Sequence, residues 1–192
     1  MARDPARRAA LAEAATDYAL EHGLIGLSLR PLAAAIGTSD RMLLYHFADK
    51  DDLVATVLRV STDRSVEEIR ALAPATDVPG FVVGFWDAST SGQLERCQRL
   101  YVEAAALGLL GQEPYASVVR EANDRWTGAL EHRVVEAGCP PAAARRVVVL
   151  LDAAFIGLQL DLPLDRGNPD QRRAVLDLAE GLALLTGAAR PA

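Results

Sequence analysis

The side chains with chemistry to offer crowd into one short stretch, "SDRMLLYHF" over residues 39–47, followed by Lys50, the only lysine in the chain. Arg41 can donate two parallel hydrogen bonds to the O6 and N7 edge of a guanine, and Met42 can pack on a thymine methyl. Tyr45, His46 and Lys50 can donate to phosphate oxygens, and Ser39 opens the same run. Asp40 has three possible roles: accepting from a cytosine N4 amine, orienting Arg41, or lying solvated. Arg30, and the pair Arg7 and Arg8, are candidates to hold a flanking phosphate backbone, with a solvated helix end as the alternative for the pair.

These groups act together only if one element presents them on one face. A helix over 39–47 that turns Leu43 and Phe47 inward, four residues apart, leaves Asp40, Arg41, Met42, Tyr45 and His46 outward. Upstream, Ser28 is placed to cap a short helix at about 29–36 that tolerates Pro31 in its opening turn. Gly37 ends that helix and Ser39 starts the next, so two short helices meet across a turn of about three residues. In such a helix-turn-helix the second helix enters the major groove with its N-terminal residues at base edges. Lys50 adds a cation at the mouth of the next helix, where Asp49 caps and Asp52 sits in a box-like position facing the positive end of the helix dipole.

Net charge argues against nucleic acid until it is divided along the chain. The total is −6, yet residues 1–50 hold six basic and six acidic side chains, so the excess lies entirely beyond residue 50. A neutral segment supports phosphate binding only if its cations share a face.

The chain has 192 residues, 51% of them hydrophobic and only 5% aromatic, which favours packed helices over a sheet sandwich. We therefore expect an all-α protein. Apolar residues at three- and four-residue spacing predict about nine helices: 5–22, 29–36, 39–47, 50–72, 81–89, 93–109, 115–137, 141–160 and 170–186. Gly23 is a plausible left-handed stop for the first. The two cysteines, Cys97 and Cys139, have no partner at metal-ligand or redox spacing and read as reduced thiols. Nothing reads as a signal sequence or a membrane span, so a cytoplasmic, soluble protein is expected.

The run "LAEAATDYALEHGLIGLSLRPLAAAIGTSDRMLLYHFADKDDLVATVL" resembles the DNA-binding domain of the TetR family of bacterial transcription regulators over about residues 7–58. Two positions depart from the family pattern: Met42, where a small or hydroxyl residue is usual, and Leu44, where a tyrosine usually touches phosphate. The resemblance implies a helix-turn-helix domain over 1–48 and a helical effector-binding and dimerisation domain over 49–192. It implies a homodimer on a palindromic DNA operator, most simply a repressor released by a small molecule. Because central helices of such proteins enclose an effector cavity, Phe85, Trp86, Cys97, Tyr101, Trp126, Asp152, Phe155 and Gln159 are its candidate lining, with Phe81, Arg99 and Asp161 nearby in sequence.

The walls over 81–160 are mostly Leu, Val, Ala and aromatic, which suits a largely apolar effector that is neutral or singly charged. The expected dimer face is the stripe Val147, Leu151, Ala154 and Leu158 with Val175, Leu178, Leu182 and Leu185. Two other classes stand beside this reading: an effector-free architectural DNA binder on the same scaffold, and an enzyme. The enzyme has little to rest on. His22, His46 and His132 fall on separate predicted helices, and no nucleophile elbow, metal cluster or cofactor loop occurs in the sequence.

Overall fold

A computed structural model describes residues 4–161, 163–165 and 168–187. Among them are nine α-helices: α1 (Pro5–His22), α2 (Leu29–Ala35), α3 (Asp40–His46), α4 (Lys50–Ala71), α5 (Val78–Ser89), α6 (Gly92–Leu109), α7 (Tyr115–Glu136), α8 (Pro141–Asp161) and α9 (Pro169–Leu185). The fold is all-α, as the apolar periodicity requires. Only α5 begins well before its expected start. The Asp77 carboxylate accepts from the Gly80 amide at 2.7 Å, and this cap draws Pro79 and Gly80 into the opening turn.

The chain forms two compact units, Met1–Val66 with Gln93–Arg125, and Glu67–Gly92 with Trp126–Ala192. In the first, α1, α2 and α3 wrap a core of Leu11, Ala15, Ala19, Leu24, Leu32, Leu43, Phe47, Leu53 and Val54, extended by Cys97, Leu100 and Ala104 of α6. Charged groups of α6 grip the end of α1 from both sides. The Arg99 guanidinium donates to the Leu20 carbonyl at 2.7 Å, and the Glu103 carboxylate accepts from the Leu24 and Ile25 amides at 2.7 and 3.0 Å. Such bonds satisfy groups that a helix end leaves open. Gly23 is favoured here by its backbone, and a side chain would also force Glu103 to shift. Its φ is +83°, and a Cβ would lie 2.8 Å from both Glu103 oxygens. Ser28 stands in the N-cap position of α2 with extended backbone, but its side chain makes no capping bond, unlike the expectation.

The second unit packs α9 chiefly on α5 and then on α8. Arg133, buried on α7, closes the end of α4 by donating to the Leu72 and Ala73 carbonyls at 2.7 and 3.1 Å. The expected dimer stripe turns out to be largely internal. Val147, Leu151 and Val175 are fully buried, Leu182 is 2% exposed, and Ala154, Leu158, Leu178 and Leu185 are half-buried. The reason is that α5 and α8 take the most apolar face of α9 for themselves. What α8 leaves outside is a different row: Val149, Leu150, Ala153, Gly157 and Leu160, all exposed.

Candidate nucleic-acid interface

The turn before α3 is fixed by backbone chemistry. Gly37 adopts φ +68°, and the Thr38 amide donates to the Ala33 carbonyl at 2.9 Å. Ser39 then caps α3, its hydroxyl accepting from the Met42 amide at 3.2 Å. Leu43 and Phe47 face inward, at 1% and 0% exposure. The opposite side of α3 is open: Asp40 and Arg41 are exposed, and so are Met42, Leu44 and Tyr45. Arg30, Ser39 and Lys50 are exposed as well. One Asp40 carboxylate oxygen accepts from the Arg41 amide at 2.9 Å.

His46 departs from the expected arrangement. It is 3% exposed rather than outward, with its ring edge-on to Tyr45 at 5.1 Å between centroids. Position 46 lies three residues after Leu43, so it shares the inward side of so short a helix. Its Nδ1 has no hydrogen-bond partner among the described residues. Leu44, conversely, stands beside Tyr45 on the open side.

Phe47 is the point at which α3 is fastened. The Arg8 guanidinium lies 4.7 Å above its ring and also donates to Asp52 at 3.1 and 3.2 Å and to the Thr56 hydroxyl at 3.1 Å. Asp52 in turn accepts from the Ala48 amide at 2.9 Å, and Asp49 accepts from the Asp52 amide at 2.8 Å. Arg8 is thus an internal clasp between α1 and α4, while Arg7 is exposed.

The candidate effector residues fall into both units. Cys97, buried at 1%, and half-buried Tyr101 sit on α6 in the first. Arg99 of the same helix is engaged with α1 as described. Phe85, Trp86, Trp126, Asp152 and Phe155 come together in the second. Phe85 stacks on Phe155 at 5.0 Å and on Phe81 at 5.8 Å, Trp86 meets Phe155 edge-on at 5.1 Å, and Trp126 lies 5.9 Å from Phe85. The Trp126 indole donates to Asp152 at 2.8 Å. Gln159 reaches the Ser89 carbonyl at 3.5 Å, and Asp161 lines a separate open groove with Leu158, Gln171 and Ala174. His132 pairs with Glu136 at 3.6 Å on the exposed side of α7.

Burial pushes the Asp152 carboxyl up from its ordinary range, against the smaller opposing pull of the Trp126 hydrogen bond. A carboxyl raised in the folded state binds protons more tightly there than when unfolded, so its ionised form costs stability above the unfolded value. That cost fades as pH falls below the ordinary carboxylate range. Asp152→Asn should therefore melt higher than wild type at neutral pH and nearly equal to it in acid. Thermal scans that place the variant below wild type at neutral pH would contradict the assignment.

Residues 11–57 match the family described as bacterial regulatory proteins, tetR family. No curated protein matches the chain. Its fold is similar to that of the multidrug binding protein EbrR complexed with imidazole, at 25% identity over 98% of each chain and a TM-score of 0.67. It is similar to a protein from Rhodococcus sp. assigned to the TetR-family transcriptional regulators, at 18% identity, 92% and 98% coverage and a TM-score of 0.74. A protein from Saccharomonospora viridis assigned as a transcriptional regulator, in complex with choline, has 19% identity, 92% and 97% coverage and a TM-score of 0.68.

Proposed function

We infer the function of this chain from its membership of the tetR family of bacterial regulatory proteins: it is a DNA-binding transcriptional regulator. In our reading it is a homodimeric, cytoplasmic repressor that binds a palindromic operator and is released by a small effector. The observation that carries the DNA reading is the split of α3 into a buried edge, Leu43 and Phe47, and an open one bearing Arg41, Met42 and Tyr45. Seven helical residues reach only a few base pairs, so a two-fold dimer doubles the readout. Arg41 would read a base edge, Ser39, Tyr45, Arg30 and Lys50 would hold phosphates, and Leu44 would add apolar contact beside Met42. His46 supports the helix from inside.

We assign reading to residues 1–48 and effector binding and dimerisation to 49–192. Small-molecule complexes of similar folds, EbrR with imidazole and with ethidium and the Saccharomonospora viridis protein with choline, support a ligand-responsive second part. The aromatic cluster around Asp152 is the apolar surface we assign to it, with Gln159 of the same unit as a further candidate. Helix α4 begins at Lys50 and supplies residues to both compact units, so a displacement along it would change how two reading heads are spaced. Coupling of this kind is typically ~1–3 kcal/mol.

For the dimer we propose the exposed row of α8, Val149, Leu150, Ala153, Gly157 and Leu160, with Leu176 and Leu184 of α9. Ala153 and Gly157 would let two copies of α8 approach closely, and a charge-free strip of this length on a surface helix is best covered by a second copy.

Arg41→Ala should cost ~1–3 kcal/mol per half-site and relax base preference, whereas Lys50→Ala should weaken all duplexes alike and flatten the salt dependence. A binding selection followed by salt titration separates the two. If Arg41→Ala keeps the wild-type sequence preference, the reading face is wrongly assigned.

A further inference from the structure

We propose that the paired side chains Asp152 and Trp126 form a recognition site for a monovalent organic cation, with its charge against the carboxylate and its apolar body against the indole. This inference rests on the effector reading and gives that effector a chemical class.

Among the described residues Asp152 is an acid without a counter-ion. The described ion pairs of its unit use other carboxylates: Arg133 takes Glu136, Arg145 takes Glu131 and Arg172 takes Asp87. Among the described residues the partner of Asp152 is a neutral N–H, the Trp126 indole at 2.8 Å on Oδ1. A half-buried carboxylate in apolar surroundings that lacks a cation pays for desolvation without recovering a Coulomb term.

The surroundings select what could supply that charge. Phe85, Phe155 and Trp86 are at most 5% exposed, Phe155 stacking on Phe85 and meeting Trp86 edge-on, so they form a fixed wall. Trp126 and Asp152 are the two half-buried members of the cluster, and they lie side by side. Because the indole is only half-buried, a cation held by the carboxylate could also reach the ring beside it, and aromatic faces attract weakly hydrated cations most effectively. No group of three acids, histidines or cysteines among the described residues could hold a metal ion, which argues against an inorganic cation. A polyanion would face the carboxylate directly and be repelled.

The test uses the intact chain with benzyltrimethylammonium and its uncharged carbon isostere, neopentylbenzene, followed by tryptophan quenching, calorimetry and operator release. We expect the cation to bind wild type about 10-fold tighter than the isostere, and Asp152→Asn to remove that preference while leaving isostere binding unchanged. The variant keeps a side-chain oxygen to accept from Trp126, and its melting temperature reports its fold. Equal cation affinity in wild type and Asp152→Asn overturns the proposal. If the isostere binds and releases operator while the cation does neither, the cation assignment falls and the effector reading stands. If neither compound binds, the proposal falls, and an operator complex unresponsive to a broader small-molecule panel takes the effector reading with it.

Discussion

A chain carrying Leu150→Arg and Ala153→Arg is expected to sediment as a monomer and to lose operator affinity by about 10²–10⁴-fold. That factor is the usual gain from linking two half-site contacts into one binding event. Both positions are exposed in the single chain, Leu150 at 46%, so the substitutions add surface charge without opening the core. In a two-fold interface each residue faces its own copy or a near neighbour, so each new guanidinium would meet another without compensation. Desolvating like charges across an apolar seam costs several kcal/mol, enough to undo a dimer held by one helix pair. The melting temperature should barely change at a concentration where wild type is also monomeric. An intact dimer in sedimentation would rule out this row of α8, and a monomer that still binds a full palindrome with wild-type affinity would rule out the dimeric mode of reading.

The contrast with the stripe read from sequence explains what apolar periodicity can and cannot deliver. Spacing of three and four located all nine helices, because a helix must bury some face and the pattern marks which one. It does not say against what. Val175 and Leu182 form the stronger stripe on α9, and the chain's own α5 and α8 claim it, leaving weaker apolar positions such as Leu150 and Leu184 outside. His46 failed for a related reason. Aromatic and polar character suggested a contact, while its three-residue distance from Leu43 already placed it inside.

Long-range polar pairing was hidden more deeply. Arg99 and Glu103 look like an ordinary i, i+4 pair of a solvated face, and only folding brings the end of α1 between them. The union of Trp126 with Asp152 was half legible: both were expected near one cavity, but their hydrogen bond joins residues 26 apart in sequence, on α7 and α8. The capping residues Ser39, Asp49 and Asp77 act within three residues of themselves. Those of the first two were readable without the fold, since their acceptors and donors are fixed by local backbone geometry.

Phe47→Ala should cost about 3–5 kcal/mol of unfolding free energy, the range for removing a fully buried phenyl ring, and operator binding should fall with it. The ring has 0% exposure and lies at the junction of α1, α3 and α4. Seven residues cannot hold a helix by propensity alone, so α3 keeps its orientation only while Leu43 and Phe47 are packed. Removing the ring leaves a cavity and also strips Arg8 of the surface beneath its guanidinium. The Arg8 bonds to Asp52 and Thr56 would then be less firmly positioned, and with them the Asp52 bond to the Ala48 amide that joins α3 to α4. Phe47→Leu keeps most of the volume and should cost only ~1 kcal/mol. Denaturant titration of both variants, run beside operator binding at a temperature where each is folded, separates stability from orientation. If Phe47→Ala is destabilised by less than about 1 kcal/mol, Phe47 is not the fastening point of α3. If it is folded and binds operator as wild type does, the reading helix does not depend on this packing, and its orientation must come from the capped turn at Gly37–Ser39.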